Sequence, residues 1–334
     1  MAAWRLGLAA CLVLATTAAA APYRPPRTPD GRPDLQGLWD GATLTPLERS
    51  ADFKSVVIPE AEVEAHERKE NDTAQFTAEF KKTYPNAPDV GAAETEYPVY
   101  VRYARIAGQA RASVLIDPPD GKLPLNAEAK ARNKARRLQE TRSFDSYENR
   151  PLAERCLNLI GPPLVTGDVL QIVQTRDRVA IAPEGAVDAR VIRIGDRRHG
   201  PAALQAWMGD SIGWWEGDVL VVESTNFHPG SAWWRYFSRM PISPGAKVTE
   251  RFSRTSATEM LYRFTVDDPA NYTRPWSGVL PFTAYGGRLF EYACHEGNYA
   301  LRNILAGARQ VEREGRTPEP LDGGDPPPKP AAAS

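Results

Sequence analysis

Histidines and carboxylates near the C-terminal end of the sequence are the first residues whose types could do acid–base chemistry. His295 and Glu296 lie close to Glu291 and Asn298. On a strand over residues 288–295, alternate side chains share a face, so Glu291 and His295 would point the same way, roughly 13 Å apart. The group predicts general acid–base catalysis or a metal site. A hydrogen-bonded corner that fixes the strand end is the structural alternative.

A second set of polar candidates lies at the ends of other predicted strands. Arg190 shares a strand face with two isoleucines, which predicts that it points inward. His199 follows in a loop, and Asn226 and His228 lie just after another strand. If these side chains meet at one mouth of a barrel, they would bind an anionic or carbonyl group. For each histidine alone, a structural or solvated role is the alternative.

Tryptophan is concentrated in one part of the chain. Of the eight tryptophans, six lie between residues 207 and 276. A flat aromatic wall suits sugar rings or aromatic ligands, whereas core packing is the alternative. The predicted catalytic residues are His295, Glu296, His228, Arg190 and His199. The predicted ligand-binding residues are Trp215, Trp233, Trp234, Trp276, Asn226, Glu291 and Asn298.

Other catalytic motifs are weak or missing from the sequence. Gly209 to Gly213 matches G-x-S-x-G, but a strand follows Ser211 where a hydrolase nucleophile needs a helix, so we expect a turn before a strand. There is no dinucleotide fingerprint, P-loop, H-E-x-x-H or EF-hand loop. The sequence predicts no cofactor. It leaves a divalent metal open, since such an ion would need three ligands at about 2.0–2.2 Å.

The N-terminus indicates export. Arg5 precedes an apolar run from Leu6 to Thr16, and alanines at 18–21 offer cleavage sites. This pattern predicts a signal peptide over residues 1–21, a mature protein without a membrane span, and a periplasmic or secreted location. A lipid anchor at Cys11 is less favoured, because the apolar run continues to Leu14.

Two cysteines remain after the predicted cleavage, Cys156 and Cys294. An even pair in an exported chain predicts a disulfide, and two buried free thiols are the alternative. The chain-entropy treatment gives such a loop about 5 kcal/mol of stabilisation, and typical values are nearer 2–4 kcal/mol.

Composition limits the class of protein. The 334 residues include 41 basic and 42 acidic side chains, a net charge of −1, which argues against nucleic acid as a partner. Aliphatic and aromatic residues make up 42%, enough for a core. We expect a small-molecule ligand. Composition does not fix the oligomeric state.

After Gly161, short apolar runs recur every 8–12 residues and are separated by turn signals. Gly286-Gly287 favours a tight last hairpin. An antiparallel meander that closes on itself leaves no exposed edges, so we expect a mainly β, lipocalin-like barrel. The nine predicted strands are Val169–Gln174, Arg178–Ala182, Asp188–Ile194, Ile212–Trp215, Val219–Ser224, Lys247–Arg254, Glu259–Asp267, Ser277–Tyr285 and Arg288–Cys294.

The remaining segments are expected to surround the barrel. Residues 22–160 should form an extended arm and helices packed on the barrel domain of residues 161–314, and residues 315–334 a disordered tail. Helices are predicted from Thr45 with Glu48 closing a capping box, over residues 59–70 and 73–82, and from the cap Asn126 to residue 142.

Long motifs are spread along residues 27–309. They include Thr28–Trp39, Asp117–Gly121, Trp215–Asp218, Arg274–Ser277 and Tyr292–Tyr299. With these motifs the chain resembles a large group of exported bacterial proteins of unknown function. The resemblance implies one continuous unit and supplies no catalytic residues.

Three functions follow as hypotheses. The first is an exported enzyme, a lyase, isomerase or hydrolase, acting on a small sugar-like or aromatic molecule in an aromatic-lined cavity. The second is a lipocalin-like protein that binds such a ligand without turnover. The third is an envelope interaction protein, in which the N-terminal arm and helices contact a partner.

Overall fold

The fold comes from a computed structural model that describes residues 23–71, 101–157, 160–165, 167, 169–186, 188–235 and 238–318. For residues 232–235 and 238–239 only the backbone is described. The predicted signal peptide, the predicted helix over residues 73–82 and residues 319–334 of the predicted tail lie outside this part of the chain.

The described residues form fifteen strands and four α-helices. The helices are α1 (Glu60–Glu70), α2 (Ala127–Arg142), α3 (Cys294–Gly297) and α4 (Tyr299–Arg313). The strands are β1 (Gly37–Asp40), β2 (Val57–Ile58), β3 (Arg105–Ile106), β4 (Gln109–Arg111), β5 (Leu115–Asp117), β6 (Val169–Gln174), β7 (Arg178–Pro183), β8 (Arg190–Ile194), β9 (Asp210–Glu216), β10 (Val219–Thr225), β11 (Ala232–Arg235), β12 (Ser238–Pro241), β13 (Lys247–Arg254), β14 (Glu259–Asp267) and β15 (Trp276–Ala284).

Nine strands close into a β-barrel. Their order is β1-β6-β7-β8-β9-β10-β13-β14-β15, and β15 pairs back with β1. Neighbouring strands are antiparallel except β8 and β9, which run parallel. The prediction of a mainly β chain with a closed barrel is therefore confirmed, and the sheet is mixed.

The ninth barrel strand is not the one that the sequence predicted. Eight predicted strands are present, but residues 285–293 form no strand, so the Gly286-Gly287 hairpin is wrong. β1, from the expected extended arm, pairs with the end of β15 through Trp39–Ala284 and Asp40–Thr283. Trp39 is buried in the core, and its indole N–H donates to the Leu35 carbonyl. Burial of this ring favours β1 at a position where residues 288–294 would have paired.

A charged pair lies inside the barrel among apolar side chains. Arg190 donates two hydrogen bonds to Glu250, at 2.7 and 3.2 Å, and both side chains are buried. The Tyr262 hydroxyl donates to the same carboxylate and accepts the Leu164 backbone N–H. Burial, and then the Glu250 charge, raise the pKa of Tyr262 well above its ordinary value, although Arg190 opposes the shift. The prediction that Arg190 points inward is confirmed.

The segment around Leu164 packs into the core of the barrel. Ile160, Leu164 and Val165 belong to the same buried cluster as the inward side chains of the strands. This segment and the inward side chains of the strands thus share one apolar core.

The helix predicted from Thr45 is wrong. Residues 43–50 are not helical, and the Thr45 hydroxyl donates to the Arg111 carbonyl and accepts the Ala104 N–H. The Glu48 carboxylate accepts the Leu123 N–H instead of closing a capping box. Both polar side chains therefore join distant segments of backbone. By contrast, α1 and α2 form as predicted, and Asn126 caps α2 by accepting the Ala129 N–H.

The predicted disulfide between Cys156 and Cys294 is confirmed. It ties α3 to a segment 138 residues earlier in the chain. Next to it, Asn298 donates to the Glu154 carbonyl and accepts the Leu301 N–H at the start of α4. The fully buried Cys156 is thus part of a firm anchor for the C-terminal helices.

Replacing Arg190 with Met should lower the free energy of unfolding by about 3–5 kcal/mol, because Glu250 would remain buried without its charged partner. The double variant Arg190→Met, Glu250→Met removes both charges and should recover most of this loss. Urea denaturation of the three proteins checks this. A double variant no more stable than the single one would contradict the electrostatic explanation.

Replacing both cysteines with Ser should lower the free energy of unfolding by about 2–4 kcal/mol, since the crosslink closes a long loop in the unfolded chain. Denaturation of the oxidised protein, the reduced protein and the double variant measures the effect. Equal stability of all three would show that the crosslink contributes nothing.

Candidate functional site

A groove of about 1150 Å³ lies against the outside of the barrel. Its floor is formed by outward-facing residues of β1, β6, β14 and β15, together with Glu184 just after β7. One wall is formed by residues 101–105, and the other by residues 285–292. The volume is slightly above the roughly 300–1,000 Å³ of typical small-molecule sites, so the groove can hold a ligand of that size or somewhat larger.

The strand register places three carboxylates in a row across the floor. Asp40 is opposite Thr283, which is opposite Glu259 on the other side. Asp40 is also opposite Val169, whose carbonyl accepts the Glu184 N–H. Residues opposite one another in antiparallel strands share a face. Because neighbouring strands are about 4.8 Å apart, Asp40 is about 10 Å from Glu184 and from Glu259 at the backbone.

Sequence neighbours of the floor residues confirm that this row faces outward. The core contains Trp39, Met260 and Phe282. Asp40 directly follows Trp39, Leu261 follows Met260, and Thr283 follows Phe282. Strand alternation therefore turns Asp40 and Thr283 away from the core. The same alternation turns Glu259, which precedes Met260, toward the groove.

The two walls add aromatic rings and arginines. Phe290 is 57% exposed and Tyr292 is 37% exposed. On the opposite wall, Arg105 forms ion pairs with Glu60 and Glu67, at 2.7 and 2.9 Å. The two carboxylates offset the positive charge of the arginine. The hydrogen bonds to these two glutamates raise the pKa of Arg105, so it remains charged.

A separate polar cluster lies on the outer face of β8, β9, β10 and β13. The ring nitrogens of His199 face Asp210 and Glu223, at 3.1 and 3.2 Å. Arg193 donates to both oxygens of Asp210, and Lys247 pairs with Glu223 at 3.2 Å. This cluster pins the loop that carries His199 against the barrel.

The charge state of Asp210 reflects these partners. Burial raises the pKa of this carboxyl, but hydrogen bonds from the Gly200 backbone and from Arg193, with the Arg193 charge, outweigh burial and hold it below 3.8, its ordinary value. Asp210 is therefore ionised at neutral pH and firmly bonded.

The predicted catalytic residues lie in different parts of the structure. Arg190 is inside the barrel with Glu250, and His199 is in the outer cluster. His228 packs on Trp207 with ring centroids 4.0 Å apart, and its Nδ1 accepts the Gly230 N–H. His295 and Glu296 are exposed on the short helix α3, so no strand turns His295 toward the face of Glu291.

The predicted ligand-binding residues also separate. Glu291 lines the groove. Trp276 is buried against Phe264 and Tyr272, and Trp215 packs on the core. Asn226 donates to the Gly200 carbonyl from a positive φ of 58°. Asn298 caps α4 as described above, and the side chains of Trp233 and Trp234 lie outside the described part of the structure.

Ser211 of the G-x-S-x-G motif lies within β9, whereas the sequence predicted a turn before the strand. Its hydroxyl is buried against the Ser224 hydroxyl at 2.7 Å. Gly209 has a φ of +72°, and a Cβ there would come within 2.6 Å of the Thr225 carbonyl oxygen. The glycines of this motif therefore allow close packing of β9 and the loop after β10.

Residues of the groove floor are the functional candidates that the sequence did not reveal. Asp40, Glu184 and Glu259 are more than 70 positions apart and share no motif. Each follows or precedes an apolar strand residue, which indicates outward orientation. Only the pairing of β1 with β6 and β15 brings them together.

No group of three or more His, Cys, Asp or Glu side chains in the described residues could hold a metal ion. The same part of the chain contains no helix that is both long and apolar enough to cross a membrane.

Replacing Asp210 with Asn should flatten the acid side of the stability profile. A carboxyl with a lowered folded-state pKa stabilises the fold above its unfolded pKa, and the effect is lost as pH falls through the folded value. The variant should be less stable than the native protein at neutral pH, and the difference should shrink below about pH 4. Urea denaturation at several pH values measures it, with exposed Asp267→Asn as control. A difference independent of pH would contradict this account.

Comparison with known proteins identifies no relative of this chain. The chain matches no protein-family model, no curated protein and no solved structure. The resemblance of its motifs to exported bacterial proteins of unknown function stays a prediction.

Proposed function

We propose that this protein is an exported, periplasmic or secreted protein that binds a small sugar-like molecule in the groove beside β1. The observation that carries the proposal is the combination of exposed aromatic rings on one wall with carboxylates on the floor. Ring faces pack against the apolar faces of sugar rings, and carboxylates accept hydrogen bonds from hydroxyl groups. An aromatic ligand with hydroxyl groups would use the same surfaces.

Export is supported by the N-terminal pattern of the sequence and by the disulfide. Disulfides persist in oxidising compartments and are rare in the cytosol. The Thr43 hydroxyl and the Leu44 backbone N–H both donate hydrogen bonds to the Arg102 carbonyl, so the N-terminal region supplies one groove wall. This supports the predicted packing of the N-terminal segments on the barrel.

Binding without turnover is the function that the geometry favours. None of the described residues lining the groove is a histidine, and none of the predicted catalytic residues is among them. The proposed ligand lies outside the barrel, unlike the interior site of a lipocalin-like protein, because inward side chains fill the space around Arg190 and Glu250. An envelope partner is the competing hypothesis, and it predicts no small-molecule binding at the groove.

Replacing Phe290 and Tyr292 with Ala should weaken ligand binding by about tenfold, because a stacking contribution near 1.4 kcal/mol corresponds to a factor of ten. A thermal-shift panel of neutral oligosaccharides, amino sugars, uronic acids, phenolic compounds and fatty acids would first identify a ligand class. A ligand at 100 times its Kd should add about 2.7 kcal/mol of stability. Titration calorimetry would then compare the variants.

The matched control is Tyr299→Ala, which removes a 72% exposed ring outside the groove and should leave binding unchanged. A ligand that binds equally well to the native protein and to the groove variants would place its site elsewhere. A panel without any shift would contradict the proposal and favour an envelope partner.

A further inference from the structure

The charged residues of the groove are divided between its surfaces. Every charged residue that the barrel contributes to the floor is a carboxylate: Asp40, Glu184 and Glu259. The arginines of the lining, Arg102, Arg105 and Arg288, all lie on the walls. The floor therefore carries one sign of charge.

The floor carboxylates have no cationic partner in the described part of the chain. Asp40 accepts the Ala42 N–H at 2.7 Å, and Glu259 accepts the Thr255 hydroxyl. By contrast, Arg105 on the 101–105 wall is paired with two glutamates. Unpaired carboxylates in a concave surface attract positive charge more strongly than they would on an open one.

The spacing of these carboxylates argues for an extended ligand. A single metal ion would need all its oxygen ligands within about 2.6 Å, whereas the outer residues of the row, Glu184 and Glu259, are about 19 Å apart at the backbone. One ion cannot be shared between them. Separate positive groups on one elongated molecule can each meet a carboxylate.

Aromatic rings on the neighbouring wall favour the same chemistry. Phe290 and Tyr292 are exposed at the groove. Ammonium groups bind to ring faces through the quadrupole of the ring, and recognition of amines combines such rings with carboxylates. Rings and carboxylates in one groove are therefore suited to an amino-bearing ligand.

We propose that the groove selects sugar-like ligands that carry protonated amino groups, bound over the Glu184–Asp40–Glu259 row. This inference rests on the proposed function of the groove. It goes beyond that function by naming the charge of the ligand and the residues that recognise this charge.

The test uses two tetrasaccharides with one skeleton. One is the β-linked glucosamine tetramer with free amino groups, and the other is its fully N-acetylated, neutral form. Calorimetry at mildly acidic pH, where the amines are protonated, should show the free-amine form binding about tenfold more tightly to the oxidised, mature protein. Raising the salt from about 0.1 to about 1 M shortens the screening length from ~10 to ~3 Å and should remove most of this preference.

Variants assign the preference to the row. Asp40→Asn and Glu259→Gln should each reduce the ratio of the two affinities several-fold, while Asp267→Asn, at the opposite end of β14, should leave both affinities unchanged. Circular dichroism and thermal unfolding establish that each variant is folded. Asparagine at position 40 can still accept the Ala42 N–H.

The outcomes separate this inference from the function beneath it. Equal or weaker binding of the free-amine tetramer, with the neutral form bound, would overturn the charge selectivity and leave sugar binding intact. A preference that survives in both row variants would also overturn it, because the charge would then be read elsewhere. Failure of both tetramers to bind would overturn this inference and count against the sugar-like ligand class.

Discussion

The pairing of a four-residue strand with two partners is the constraint on which this structure depends. β1 joins β6 to β15 and so converts a sheet of eight strands into a closed barrel. The last two residues of β1 point to opposite faces of the sheet. Trp39 points into the core and fills it, whereas Asp40 points outward and lies midway between Glu184 and Glu259. The pairing of β1 with its two neighbours therefore both closes the barrel and assembles the groove floor.

The buried polar network explains why the proposed ligand site lies outside the barrel. Arg190, Glu250 and Tyr262 occupy the interior, and the Leu164 backbone N–H donates to the Tyr262 hydroxyl. Opening this space for a ligand would leave a buried carboxylate without its partner, which costs several kcal/mol. The same network sets the position of residues 160–165. A filled barrel leaves its outer surface, extended by flanking segments, as the place for recognition.

The sequence predicts most of the barrel because strand signals are local. Alternating apolar residues and turn signals identify eight of the nine barrel strands, and Asn126 identifies the start of α2 by its own side chain. The sequence does not predict β1, because its four residues, which follow a proline-rich stretch, are too few to show an alternating pattern. The 288–294 segment has a convincing alternation, but its intended position beside β15 is already taken. The groove floor depends on register between distant strands, which no local pattern encodes. Catalytic candidates chosen by residue type failed to meet for the same reason.

The segment with Phe290 and Tyr292 gains its position from both of its ends. β15 holds one end in the barrel, and α3 begins at Cys294, which is bonded to the fully buried Cys156. Residues 285–293 make no strand or helix that could order them internally. Two fixed ends restrict the conformations of such a segment, and a restricted wall loses less entropy when it closes on a ligand. Covalent anchoring of this wall therefore links the affinity of the proposed site to an oxidising environment, in which the disulfide persists.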